Sequence, residues 1–467
     1  MVDPKLVAAS AISLAVSLFA IFSLRPLARR FGLTDRPDAR KHHSGRIPLI
    51  GGLCFFLGTL AGLCYLGYLD NFTLSLVTGS VLIVAVGAVD DFHDLSVRTR
   101  LVVEMCVVGW VIAMTGYYVD GLGPLFGSGE FRLGWFGIPV TVVAVIGLIN
   151  AYNMLDGIDG LAAAMAMAAI GSVLLMGNFA GGHPGALLLL EVLFAALIPY
   201  VCVNLGWPDG RKVFMGDAGS TLIGFVLAWG LIYLSHDSVR RLAPVDVLWC
   251  VALPVMDTLA VMYRRMRQGK SPFKPDRQHL HHLLLDAGFA PRAALLLIVA
   301  GAGLLTAFGY ALRETPGLLG IFAFLAVTVV YVLWGERAVA MAARASAVVF
   351  ATKTVTGAVG AATTGNEIAF GDDWSGEAHP AGINGHSLHL LPDAGGAARP
   401  NEDGEATRMR MLCVAPSAGD AIAIASIMRN MAEDDRFEPA LCAERAAEPV
   451  LEALDLHADF SLRQASG

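Results

Sequence analysis

The chain has 467 residues, of which 55% are hydrophobic and 16% charged, with a formal net charge of −7 and a mean hydropathy of +0.61. That is far more apolar surface than one soluble core can use, so composition assigns the chain to the membrane class. The seven scattered cysteines, with no C-x-x-C, argue against a disulfide scaffold or a zinc module, and nucleic acid is not an expected partner.

Apolar runs of about 16–23 residues recur along the chain, each near the length that crosses a bilayer core. They predict spans at roughly Leu6–Leu24, Ile47–Leu69, Thr73–Val89, Leu101–Gly116, Trp135–Ile149, Leu161–Met176, Ala186–Val203, Gly219–Leu234, Val245–Tyr263, Ala293–Leu312 and Gly317–Trp334. The expected fold is therefore an all-α polytopic membrane protein of about eleven transmembrane helices. The first run has no cleavage-site pattern and reads as a retained span. Loops Arg25–Arg46 and Arg264–Arg292 carry seven Lys/Arg each, and the loops holding Arg98/Arg100 and Arg211/Lys212 are also basic. Alternating the spans puts all four loops on one face, which the positive-inside rule makes cytoplasmic, with the N-terminus outside and the C-terminus inside.

Five polar clusters share that face. The first, Asp35 to Gly52, couples a basic loop ending in Arg46 to a Pro/Gly-marked helix start. In the second, Val89-Asp90-Asp91-Phe92-His93-Asp94, Asp90 and Asp94 lie one helical turn apart, and like charges that close need a cation, a shared proton or a nearby Lys/Arg. The third is the centre of the chain: Asn150-Ala151-Tyr152-Asn153-Met154-Leu155-Asp156-Gly157-Ile158-Asp159-Gly160-Leu161. Burying such groups in lipid is costly, so they mark function. The 3-residue spacing of Asp156 and Asp159, and of Asn150 and Asn153, sets oxygen ligands on one side of a turn, which suits Mg²⁺ held together with substrate phosphates.

The fourth cluster is Asn204 followed by Lys212-Val213-Phe214-Met215-Gly216-Asp217-Ala218-Gly219-Ser220, an acid at the mouth of a helix. The fifth runs from Arg264 and Arg265 to His279-Leu280-His281-His282, with six Lys/Arg between Arg264 and Arg277, and suits a pyrophosphate. Glu104, Glu191, Asp246 and Asp257 read instead as interior groups satisfied by hydrogen bonds. Together the clusters describe phosphoryl transfer at a membrane surface. The absence of a Walker A loop and of a G-x-S-x-G elbow removes support for ATP-driven pumping and serine hydrolysis.

The runs Arg40–Gly52, Val89–Arg100, Ala151–Leu161, Lys212–Gly224 and Tyr263–Gly288 resemble the motifs of the polyprenyl-phosphate N-acetylhexosamine-1-phosphate transferases, over about residues 1–335. The Ser271–Gly288 loop with its His-x-His-His is the most specific part. Within that superfamily the chain is most similar to the bacterial undecaprenyl-phosphate N-acetylglucosamine-1-phosphate transferases. The peptidoglycan branch, acting on phospho-MurNAc-pentapeptide, arranges its histidines differently and ranks second. A lipid-linked glycan transporter or a lipid-phosphate phosphatase are the rival classes.

The resemblance implies transfer of GlcNAc-1-phosphate from UDP-GlcNAc to undecaprenyl phosphate, releasing UMP, with Mg²⁺ or Mn²⁺, at the bacterial inner membrane. The product would start an O antigen, common antigen or similar glycan. It implies that Asp90 positions or deprotonates the lipid phosphate with Asp91 beside it, that Asp217 and Asp91 bind metal, and that Asp156 and Asp159 serve nucleotide or metal. His279, His281 and His282, with Arg265, would hold the pyrophosphate; Arg46, Asn150, Asn153, Asn204 and Lys212 complete the expected substrate contacts. The lipid bilayer is the expected setting, and a homodimer is allowed for.

By this reading residues 1–336 form the transferase and 337–407, rich in Ala, Gly and Thr, form a disordered linker. In residues 408–467, strands at Met409–Ala415 and Phe437–Cys442 flank a helix at Ala421–Glu433. This piece resembles the start of the non-hydrolysing UDP-GlcNAc 2-epimerases but has Ser417-Ala418-Gly419 where that family has Arg-Pro-Glu. Too short to bury its own core, it is expected to be inactive.

Overall fold

In hydrocarbon no backbone amide or carbonyl can be left unpaired, so a chain this apolar closes its hydrogen bonds within helices. The computed structural model describes residues 3–35, 46–93, 95–125, 129–179, 182–271 and 278–363 and five later strands, with side chains through residue 341. It divides into two compact units, Met1–Arg337 and Ala338–Gly467.

The chain begins with α1 (Pro4–Phe31), then the two-residue strands β1 (Thr34–Asp35) and β2 (Ile47–Pro48), which pair antiparallel. The helices α2 (Gly51–Leu66), α3 (Asn71–His93), α4 (Val97–Thr115), α5 (Gly137–Leu155), α6 (Leu161–Met176), α7 (Gly185–Asn204) and α8 (Gly216–Ser235) follow. After them come α9 (Pro244–Cys250), α10 (Ala252–Arg267), α11 (Leu280–Asp286), α12 (Pro291–Leu312) and α13 (Gly317–Thr363). The helix ends carry the expected punctuation: the Asp3 carboxylate accepts from the Lys5 N–H at α1, Ser96 Oγ from Thr99 N–H at α4, and Gly32 and Gly116 close α1 and α4 in the left-handed region.

In the second unit, β3 (Ala381–Ile383), β4 (His386–His389), β5 (Met409–Ala415), β6 (Phe437–Ala443) and β7 (Ser461–Gln464) form one sheet in that order. β5, β6 and β7 run parallel, whereas β4 pairs antiparallel with both β3 and β5. The helix expected at Ala421–Glu433 lies outside the described residues.

The fold is helical and membrane-spanning as expected, but the count of eleven spans is not reached. Among the described residues seven helices are long and apolar enough to cross a membrane, or eight if α9 and α10, bent by 74° at their junction, make one broken span. The other three expected spans go unconfirmed because they miss that test of length and composition. α2 and α6 have 16 residues each, about 24 Å of helix against a core of about 30 Å, and α4 carries Arg98, Arg100 and Glu104.

α8 is the central post. Its apolar stretch is 94% buried, and α3, α5, α2, α6 and α7 all pack on it. Small residues permit the close approaches: a Cβ on Gly87 would run into the Ala218 backbone, and one on Gly52 would run into Gly219. Both contacts lie at the start of α8. They draw the last turn of α3 and the first turn of α2 to the place where Asp217 sits.

Candidate active site

The first turn of α8 collects the site. The loop before it is held by backbone pairing, since Phe214 N–H donates to Pro48 C=O at 2.9 Å, and Gly51 and Gly52 N–H donate to Phe214 and Met215 C=O at 2.9 and 3.0 Å. Asp90 and Asp91, adjacent on the last turn of α3, point to different partners as helical geometry demands. Asp91 accepts from the Asp217 and Ala218 N–H groups at 2.8 and 3.3 Å, so a residue of α3 caps the free amides and positive dipole end of α8. Asp90, buried, accepts from Leu95 N–H at 2.6 Å and from Arg100 Nη1 at 2.7 Å.

Arg100 also lies 3.4 Å from Asp217 Oδ2, while Asn153 Nδ2 donates to Asp217 Oδ1 at 3.1 Å. One guanidinium thus serves two acids brought together from α3 and α8, and α5 contributes the amide. Beyond α5, Lys212 Nζ meets Asp159 Oδ2 at 2.5 Å. Desolvation in the recess, and after it the charges of Asp217 and Asp159, push the Asp156 carboxyl up to about 7, although one side of the residue stays open to water. No hydrogen bond or ion pair to that carboxylate occurs among the described residues.

The histidine loop closes on the same place. The His281 ring, 1% exposed, lies against Gly157, and neither of its nitrogens has a hydrogen-bond partner among the described residues. It lies parallel to His279, with centroids 5.9 Å apart, and packs on His282 at 4.1 Å. Burial, then the neighbouring rings of His282 and His279, push His281 down to about 3, so it is neutral near pH 7. His279 is held by Asp257, whose carboxylate also accepts from Leu280 N–H and Tyr331 O–H.

Other expected site residues have more local partners. Asn204, 2% exposed, commits its amide at both ends: Oδ1 accepts from Gly160 N–H at 2.5 Å and Nδ2 donates to Val213 C=O at 2.9 Å. It ties the Asp156–Gly160 loop to the strand-like segment before α8. Asn150 donates to Ile146 C=O at 2.8 Å and to Glu104 at 3.4 Å. Arg265 Nε donates to Ser271 C=O at 2.6 Å, bracing the start of the histidine loop, and Arg46 is exposed beside β2. Asp94 lies outside the described residues.

Two contributors escaped the reading of the sequence. Arg100 registered only as part of a basic loop, yet three clustered acids at Asp90–Asp94 already demanded a cation, and Arg100 is the arginine that the α3–α4 turn returns to them. Asp257 reads from the sequence as an interior acid and is one, but its partner is a histidine of the site. Among the described residues no three His, Cys, Asp or Glu side chains are grouped as a metal site.

A bundle of apolar helices that gathers acids, an arginine, a lysine and a histidine loop at the head of its most buried helix defines a membrane-embedded transferase of charged substrates. A sequence model of glycosyl transferase family 4 matches residues 73–235. Relatives named undecaprenyl-phosphate alpha-N-acetylglucosaminyl 1-phosphate transferase match over a longer stretch. That of Escherichia coli (strain K12) is 43% identical over 308 residues, 64% of this chain and 81% of the relative. That of Salmonella typhimurium is 41% identical over 317 residues, 65% and 84%, and that of Yersinia pestis 43% over 299 residues, 63% and 80%. The chain belongs to this family of glycosyl transferases and is a multi-pass membrane protein.

Proposed function

We propose that the chain transfers GlcNAc-1-phosphate from UDP-GlcNAc to undecaprenyl phosphate, releasing UMP and starting a lipid-linked surface glycan such as an O antigen. The observation that carries the reading is the convergence of Asp90, Asp156, Asp159, Asp217, Arg100, Lys212 and His281 around one recess. In the reaction an oxygen of the lipid phosphate attacks the sugar-bearing phosphorus. A P–O bond forms to the lipid phosphate, the bond to the bridging oxygen breaks, and UMP leaves with that oxygen. One phosphoanhydride replaces another, so the equilibrium lies near balance.

In this reading Arg100 and Lys212 meet phosphate charge, and Asp90 orients the lipid phosphate through the guanidinium they share. Charge repulsion between the lipid phosphate and the diphosphate of the nucleotide-sugar opposes the attack, and positioning with counter-charge is what such a transfer needs from a protein. The donor set fits a hard divalent cation such as Mg²⁺ or Mn²⁺: Asp156 and Asp217 would supply oxygen ligands, and among the described residues the Asp156 carboxyl has no positive partner to offset its neighbours. Bound there, the cation supplies charge neutralisation at the diphosphate. Asp91 is occupied by the amides of α8 and acts by holding Asp217 in place. Asn204 acts in the same indirect way. His281, neutral and with neither ring nitrogen hydrogen-bonded among the described residues, faces the nucleotide-sugar. Residues 1–336 carry the activity, the recess opens to the cytoplasm, where nucleotide-sugars are found, and the piece after 408 has no epimerase activity.

The test incubates membranes containing the full chain with labelled UDP-GlcNAc, undecaprenyl phosphate and Mg²⁺. The expected result is a lipid-soluble labelled sugar with equimolar UMP. Failure to form either rejects the reading.

A further inference from the structure

An acid in the middle of an apolar helix is costly, so what satisfies it says what it is for. Asp257 lies on α10 between Met256 and Thr258, 1% exposed. Three donors converge on it, two from neighbouring residues at the start of α11 and one from α13: His279 Nδ1 at 2.8 Å, Leu280 N–H at 2.9 Å, and the Tyr331 hydroxyl at 3.1 Å. We propose that Asp257, braced by Tyr331, is the positioning residue for the His279 ring, fixing which ring nitrogen carries the proton and which is left to the site.

A carboxylate can only accept, so Nδ1 of His279 bears the hydrogen. Nε2 is then the acceptor of a neutral ring or the second donor of a charged one, and in both states the ring keeps its plane. That plane matters because the next ring follows it. His279 and His281 are parallel to within 5°, and His281 lies against Gly157, next to Asp156. Asp257 therefore sets, through one ring, the orientation of the histidine loop against the acidic loop. The Leu280 bond serves the same end by fixing the backbone from which the ring projects. Acids that orient a metal-bound imidazole in this way matter by about 10- to 100-fold in affinity or activity when replaced, and an imidazole that must offer one fixed nitrogen to a substrate makes the same demand. Tyr331 brings α13, one of the helices long enough to cross the membrane, into the site's support.

This inference rests on the proposed transferase reading, and the experiment separates the two. The full chain in membranes is assayed as wild type, Asp257→Asn, His279→Ala and the double variant. Asparagine keeps the size of aspartate and still accepts from Leu280 and Tyr331 through its oxygen, but it presents N–H to Nδ1 and reverses the ring's proton preference. The expected result is a kcat about 10- to 100-fold lower for Asp257→Asn, and no further loss when the same change is made in His279→Ala. An acid that merely braced α10 against α11 would cost the same factor in both backgrounds. Tyr331→Phe, which removes a single hydroxyl, should lower kcat several-fold with the same dependence on His279, and decides the matter if Asp257→Asn does not accumulate. A wild-type rate in these variants, or an undiminished loss in the His279→Ala background, overturns the positioning role. An inactive wild type rejects the transferase reading instead.

Discussion

The contact between Gly157 and His281 is the seam between the acidic loop and the histidine loop, and Gly157→Ala tests it with one methyl. A Cβ at Gly157 would overlap the Nε2 edge of the His281 ring and sit 2.6 and 2.8 Å from its Cε1 and Cδ2, where ordinary contact begins at 3.4 Å. The ring must withdraw by about 1 Å, and interiors packed like crystals do not yield that distance locally. It cannot swing outward freely, because His279 and His282 pack against it and it is 1% exposed. Overpacking of this kind costs about 1–3 kcal/mol, while a shift of ~1 Å in a site group costs about 10²-fold in rate. The transferase assay should therefore show kcat reduced by about two orders of magnitude, with the unfolding midpoint of detergent-solubilised protein lowered by only a few degrees. Activity within threefold of wild type would refute the seam, since the histidine loop would then be free to sit elsewhere during turnover.

Two further predictions separate support from chemistry. Asn204→Ala strands the Gly160 N–H and the Val213 C=O, both bonded to the Asn204 side chain, and should cost about 2–4 kcal/mol of stability by thermal unfolding, and, because the Asp156–Gly160 loop loses its tie, the protein that remains folded should also turn over more slowly. Asp156→Asn should raise the unfolding midpoint at pH 8 and leave it unchanged near pH 4. The Asp156 carboxyl moves from its ordinary value of 3.8 up to about 7 in the folded chain. The folded state therefore loses stability as pH rises between those values, and the amide removes that loss. Solvent on one side of the residue limits the gain to about 1 kcal/mol; a midpoint lowered at pH 8 would contradict the crowding of Asp156 by Asp217 and Asp159.

The apolar periodicity made the helices legible, and the acids that interrupt it made the site legible, because lipid leaves few other reasons for Asp156 or Asp217 to stand where they do. The eleven-span count goes unconfirmed where length and charge trade off: α6 is apolar but 16 residues long, and α4 is long but carries three charges. The bend between α9 and α10 falls at Val251, and its mark in the sequence is Pro254, which has no N–H to give the Cys250 carbonyl four residues back and so ends α9 there inside an otherwise continuous apolar run. Within the site, sequence could say that Asp90 and Asp91 diverge but not that Asp91 would face the amides of α8, which depends on Gly87 admitting Ala218. Asn204 looked like a ligand because it is polar and close to Lys212. Only the folded chain reveals that both ends of its amide are already taken.

The encased position of α8 limits where this enzyme can be altered. Asp217 stands on a shaft gripped on all sides, so a bulkier or smaller residue along it is felt at the reacting phosphates rather than absorbed by the bilayer. Changes meant to leave the site untouched belong on the loosely clad periphery, α12 and the membrane portion of α13, whose outer flanks carry Leu296, Leu304, Phe322 and Val330 in the open.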